Sequence, residues 1–246
     1  MENPLQYFAE LSDPRVEGRS DHLLEEILLI TIAAVLSGAD SWNEIEDYGK
    51  AKQDWLSSFL RLPGGIPSHD TFNRVFSLQD PAELETCFLG WVSSIAQRTA
   101  GEVVAIDGKS LRGTREGGKK TLVHMVSAWA NSNNLVLGQQ KVDEKSNEIA
   151  AIPKLLKALE LSGTIVTIDA IGWGIENKLH WVLDVAFRED ASRKRAGNAA
   201  QNFSRITRIA LNLLKQNKTS KLGMKGKRLK AGWDNNYLLQ LLGVVV

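Results

Sequence analysis

Apolar and polar positions divide this chain into three regimes. From residue 1 to about 98 the apolar residues recur at helical spacing. Leu24, Ile27, Leu28 and the run Thr31 to Val35 predict a first helix, with Asp21 as its cap. Trp42, Ile45 and Tyr48-Gly49 predict a second, starting at Asp40 or Ser41. Asp54 to Leu60 is a shorter segment closed by Pro63-Gly64-Gly65. Ser68 is an N-cap for a helix with Phe72, Val75 and Phe76 on its apolar face, and Pro81 to Ala96 carries a further helix. A short helix, a glycine-containing turn and a polar-faced second helix around Ser68 also fit a helix-turn-helix, against the plainer reading of two packed helices.

Residues 99 to 170 change to strand patterning. Val103 to Ile106 is a short apolar run that ends at Asp107-Gly108, a turn signal. Thr121 to Ala130 and Leu135 to Val142 predict a hairpin across Asn131 to Asn134. Asn147 to Glu160 predicts a helix closed at Gly163, and Thr164 to Ile168 a second buried strand running into Asp169. Three strands in a meander, a helix and a fourth strand suit an α/β sheet covered by helices. The next step departs from that plan. Seven residues after Asp169 the chain reaches Glu176 and a new helix begins, with Ile175, Leu179, Val182 and Leu183 as its stripe. Nothing supplies a fifth strand. Glu176 and His180 lie four apart and share a helix face, but one histidine on a helix is a weak metal signal.

Composition bounds the function. A 246-residue chain with 43% hydrophobic and 24% charged residues is ordinary for a globular fold of one or two domains. The lone Cys87 excludes a disulfide framework and a cysteine zinc site, and fits a reducing cytosol. The N-terminal stretch shows no secretory leader, and the ten-residue apolar run Ile27 to Leu36 is about half of a membrane span, so a cytosolic protein without a membrane part is expected. The net charge of +1 hides an asymmetry: Ala191 to Trp233 holds twelve Lys or Arg and no Asp or Glu, leaving 18 basic against 29 acidic residues elsewhere. That segregation points to a polyanionic partner, met by a segment whose amphipathic helix runs through Phe203, Ile206, Ile209 and Leu213. Nucleotide-binding glycine loops, a serine elbow and paired histidine spacing are all missing.

The candidate chemistry lies in the acids. Two strands that each end in an Asp can bring oxygen ligands to one sheet edge, where divalent metals drive phosphoryl chemistry. Taken singly, each Asp is also ordinary turn chemistry.

The segments DHLLEEILLITIAAVLSGADSWNEIEDYG, GIPSHDTFNRVF, VVAIDGKSLRG, DEKSNEIAAIPKLL, TIVTIDAIG, GIENKLHWVLDVAFREDASRKR and GNAAQNFSRITRIALNLL carry a specific pattern. Over nearly all its length the chain resembles transposases of the ISAs1 group, within the IS4-like DDE transposases, and H-repeat-associated proteins. The resemblance implies an α/β architecture in three parts. Residues 1–98 would be a helical transposase-associated domain, 99–190 an RNase H-like catalytic domain, and 191–246 a basic helical tail. It implies that Asp107, Asp169 and Glu176 are catalytic and hold two Mg²⁺ or Mn²⁺ ions. It also implies double-stranded DNA, at element ends and target, as the partner, with a homo-oligomer as an option. DNA contacts are expected from Ser68, Thr71 and Arg74, from Lys109 and Arg112, and from Arg193, Lys194, Arg195, Arg205 and Arg208. A basic residue assists the family's Glu; Arg188 and Arg193 are the candidates here. Family members carry a long segment between the second Asp and the Glu, with the fifth strand, an inserted β-rich region, and a Tyr and Arg. Here IDAIG joins almost directly to WGIEN, which places a large deletion near Gly172 and leaves the Asp169 strand as an open edge. The expected function is metal-dependent DNA cleavage and strand transfer, impaired in this shortened form. The alternative is a catalytically inactive DNA-binding remnant.

Overall fold

Helix α1 (Leu24–Leu36) grows from the longest apolar run of the chain and is buried from Glu26 to Leu36. A helix apolar on all sides must lie inside other elements. The structure, a computed structural model, describes residues 2–16, 18, 20–97, 100–111, 122–143, 147–168 and 175–244. Asp169, Arg112, the loop from Thr114 to Lys120 and the seam near Gly172 lie outside them. Asp21 does not cap α1: the N-cap position is Leu23, with no side-chain cap. The buried Glu26 in the first turn instead accepts from the backbone N–H of Arg61 (2.7 Å) and Leu62 (3.0 Å), tying that loop to the helix.

The other N-terminal helices follow their local signals. Helix α2 (Trp42–Ala51) begins at Ser41 with a complete capping box to Glu44. A short helix α3 (Gln53–Leu56) stops four residues before the expected Leu60. Helix α4 (His69–Leu78) is capped by Ser68 and buries Phe72, Val75 and Phe76, while α5 (Pro81–Ile95) is capped by Asp80.

The sheet has the order β3-β2-β1-β4. Strands β1 (Val103–Leu111), β2 (Val123–Ala130) and β3 (Leu135–Lys141) form an antiparallel meander, and β4 (Ile165–Ile168) pairs parallel with β1. Asp107-Gly108 is not a turn. The strand continues through both residues, pairing Asp107 with Ser127 and Gly108 with Val126. The glycine serves a close approach instead: a Cβ at Gly108 would collide with the Glu148 carboxylate and stand 2.6 Å from His124 Nε2. Helix α6 (Glu148–Ala158) covers one sheet face, with Ala151, Ile152 and Leu155 against Val104, Ile106, Val126 and Ala128. It ends at Ala158, and Gly163 (φ +75°) belongs to the turn that follows. The expected buried strand before Asp169 is an exposed edge: Ile165 and Ile168 are 57% and 43% accessible.

The last third of the chain packs back into the first. A π-helical turn (Glu176–His180) leads into α7 (Trp181–Phe187), followed by α8 (Ala199–Gln216), α9 (Met224–Trp233) and α10 (Asn235–Leu242). Helix α8 lies between α1, α4, α5 and β3, and is buried on every side rather than along one stripe. The positive φ of Gly197 (+48°) and its lack of a Cβ, which would stand 2.5 Å from the Ser77 carbonyl oxygen, let the chain enter α8 hard against α4. One apolar core runs from Phe8 to Leu242 and takes in Ala105, Trp129 and Val136 from the sheet.

Several polar side chains inside this core each have at least one partner, although Asn202 Oδ1 and Arg205 Nη1 have none. Asn212 donates to and accepts from the Val136 backbone (2.9 Å each), closing that point of the β3 edge. Asn202 donates to the carbonyls of Phe76 and Gln79 (2.9 Å each). Arg208, fully buried, forms a two-pronged pair with Glu189, and Arg205 pairs with Glu85. Lys227 donates to the Leu214 and Asn217 carbonyls at the end of α8 (2.8 and 2.7 Å). Arg228 gathers the carbonyls of Val35, Ala39 and Ala186, ends of α1 and α7 among them, and the Asp40 carboxylate. Lys194 donates to the Asp40 carbonyl (2.6 Å), with its ammonium over the Phe203 ring at 3.5 Å.

Two outcomes follow for stability. Arg208→Met leaves Glu189 buried without its guanidinium and should cost about 3–5 kcal/mol in urea denaturation. Arg193→Ala, on the surface, should stay within about 0.5 kcal/mol. Burial pulls the Lys194 ammonium down from 10.5 to about 7, against the opposing charges of Asp40 and Glu44. Between those two values the unfolded chain binds the extra proton, so this lysine makes stability rise as pH climbs from about 7 toward 10.5. The rise in thermal midpoint over that window should be smaller in Lys194→Met.

Candidate metal centre and basic surface

Alternation along β1 sends Val104, Ile106, Gly108 and Ser110 toward α6, and Ala105, Asp107, Lys109 and Leu111 toward the helical layer. Asp107 therefore faces the turn at the head of α7. That turn is anchored by Ile175 and Leu179, both buried, so Glu176 and His180 are delivered on the neighbouring face. His180 Nδ1 lies 3.2 Å from Glu176 Oε2 and 3.5 Å from Asp107 Oδ2. Asp107 Oδ1 accepts from the Gly108 N–H at 2.8 Å, which turns the second oxygen toward the histidine. One ligand atom from each of Asp107, Glu176 and His180 falls within 4.8 Å of the others. Ligands bound at about 2.1 Å in an octahedron stand about 3.0 Å apart when adjacent and about 4.2 Å when opposite. The donor set and its spacing fit a divalent cation. Burial lowers the His180 pKa, Asp107 and the hydrogen bond to Glu176 pull it up, and the charges of Arg208 and Lys109 add to the lowering.

Asp169 lies outside the described residues. Ile168, which precedes it, pairs in register with Ile106, which precedes Asp107. Sequence reasoning set His180 aside as a ligand; the i,i+4 spacing from Glu176 was the signal available. The anions that receive Lys109 were also missed. Lys109 Nζ is paired with Asp184 and stands 3.9 Å from Glu189 and 3.8 Å from Asp190. Burial raises the Asp184 pKa against that lysine's pull.

The expected DNA contacts divide by burial. The charged groups of Lys109, Lys194, Arg205 and Arg208 are turned inward onto Asp184, Asp40, Glu85 and Glu189. Ser68 and Thr71 are used in the cap of α4, where the Ser68 hydroxyl accepts from the Thr71 N–H at 3.3 Å. Arg74, Arg193 and Arg195 are exposed. Arg193 and Arg195 line a cleft of about 490 Å³ with Arg188, Asn73, Trp42 and Asp40. Arg188 closes α7 in the left-handed region (φ 51°, ψ 37°) at this cleft. On the sheet face under α6, Ser110 Oγ meets His124 Nδ1 at 2.8 Å, and His124 Nε2 meets the Glu148 carboxylate. This relay fills the space that Gly108 leaves and ties the start of α6 to β1. Among the described residues, no helix is long and apolar enough to cross a membrane.

The family described as DDE_Tnp_1-associated matches residues 5–92. YncI of Escherichia coli O157:H7, a transposase-named protein, is 31% identical over 365 positions, covering 97% of this chain and 94% of its own. The H repeat-associated, transposase-named YhhI of E. coli K12 is 29% identical over 366 positions, covering 97% of each chain. YncI of E. coli K12 is 46% identical over 169 residues, 68% of each chain. The two long alignments exceed the 246 residues available here, so well over a hundred positions of each relative have no counterpart in this chain. Through its matched N-terminal region and a likeness that spans nearly its whole length, the chain belongs to the family of transposases that these relatives represent.

Proposed function

We propose that the chain is a DDE transposase of the ISAs1 type, built for metal-dependent DNA cleavage and strand transfer and impaired in this shortened form. The observation that carries the reading is the convergence of Asp107 and Glu176, from elements 69 positions apart, within 4.8 Å. Asp107 and Glu176, with Asp169 by resemblance, would hold Mg²⁺ or Mn²⁺. Held there, such ions would supply the charge that activates water or a DNA 3′-hydroxyl and stabilises the leaving oxygen. The sheet order and the parallel β1–β4 pair support an RNase H-like catalytic domain. The missing positions support a deletion near Gly172.

The chain's own side chains divide the remaining work. Lys109, locked to Asp184, fixes β1 against α7 and so sets the distance between Asp107 and the Glu176 turn. Arg74, Arg193 and Arg195 are the exposed cations placed to meet duplex phosphates, with Arg188 on the same cleft. Impairment follows from tolerance: catalytic constellations must hold to about 0.5 Å, and no element among the described residues covers the β4 flank beside the site. That same exposed flank favours the second reading, a DNA-binding remnant without strand transfer.

Supercoiled-plasmid nicking in Mg²⁺ and in Mn²⁺ separates the two. Weak nicking that is lost in Asp107→Ala is the expected result; no nicking beside intact DNA binding selects the remnant. For binding, log affinity should fall with log salt by about 0.9 per phosphate neutralised. Arg193→Ala with Arg195→Ala should flatten that slope. An unchanged slope would move the DNA surface elsewhere.

A further inference from the structure

We propose that His180 is a ligand, through Nδ1, of the cation held by Asp107 and Glu176, and that it tilts the site from Mg²⁺ toward Mn²⁺ and the later first-row divalent ions. This rests on the metal reading above and adds a nitrogen to a site otherwise built of oxygens. Nδ1 faces both carboxylates, at 3.2 Å from Glu176 and 3.5 Å from Asp107. The contact to Glu176 is a long hydrogen bond and that to Asp107 is longer still, against the 2.7–2.9 Å or so of a tight charge-assisted pair. They match the spacing of atoms that share one cation, about 3.0 Å for adjacent ligands.

The ring is also held for the task. Its side chain is 5% accessible and rides on the same turn as Glu176, so it cannot swing into solvent when a cation arrives. Nε2, on the far side, is buried without a hydrogen-bond partner. The proton that Nδ1 turns toward the carboxylates leaves for Nε2 or solvent when a cation binds, which frees the Nδ1 lone pair as the ligand. A carboxylate-only site suits Mg²⁺, whereas imidazole favours transition metals. The π-helical turn supports the arrangement, because it sets Glu176 and His180 together over Asp107 just before regular helix resumes at Trp181.

Pulsed EPR on the full chain loaded with Mn²⁺ tests this directly. The expected result is a bound ion with imidazole ¹⁴N coupling that vanishes in His180→Asn and persists in His124→Asn. His180→Asn should also weaken Mn²⁺ binding by about tenfold or more and Mg²⁺ binding by less, read by competition. Circular dichroism on each variant checks folding, and the wild-type nitrogen signal does not depend on any variant. Mn²⁺ bound in an Asp107-dependent manner but without nitrogen coupling would overturn the His180 assignment while leaving the carboxylate site intact. No Asp107-dependent Mn²⁺ binding at all would overturn both.

Discussion

Enclosing α8 is the constraint on which the rest of this structure depends. Its buried residues include Asn202, Arg205, Arg208 and Asn212, and each would be costly inside a core without a partner. Each partner comes from a different element: α4 for Asn202, α5 for Arg205, the segment after α7 for Arg208, and β3 for Asn212. Matching those four groups fixes the helical layer on the sheet. It also fixes α7, because Glu189, which receives Arg208, follows that helix directly. The turn bearing Glu176 and His180 is thus held over Asp107 from the side of the chain that follows it.

This accounts for the charge asymmetry of the sequence in a way that composition alone does not. Of the twelve cations between Ala191 and Trp233, Lys194, Arg205, Arg208, Lys227 and Arg228 are buried and spent on carboxylates and backbone carbonyls. The segment is therefore partly internal scaffold, and the proposed polyanion-facing role falls to the exposed remainder. Count and sign say nothing about which way a side chain points; that depends on whether a long stem meets an acid or a carbonyl within reach.

Much of the fold was legible because local signals and tertiary packing agree. The capping box at Ser41, the cap at Ser68, the turn between β2 and β3, and the stripe Ile175, Leu179, Val182 and Leu183 all stand where the pattern puts them. The failures have equally local causes. Asp107-Gly108 reads as a turn, yet Gly108 is there to admit Glu148 and His124 against a continuous strand. Thr164 to Ile168 reads as buried from its apolar content, but no described element covers it. Of the candidate centre, Asp107 and Glu176 were visible in the resemblance, whereas His180 required the geometry of the turn.

A chain lacking more than a hundred of its relatives' positions is proposed here to assemble Asp107 and Glu176 into one cation site. Crystals soaked in Mn²⁺ and examined by anomalous diffraction test it most directly. The expected result is a peak between the two carboxylates, within bonding distance of both. Ordered density for both side chains with no peak between them, or with Glu176 turned away from β1, would contradict it.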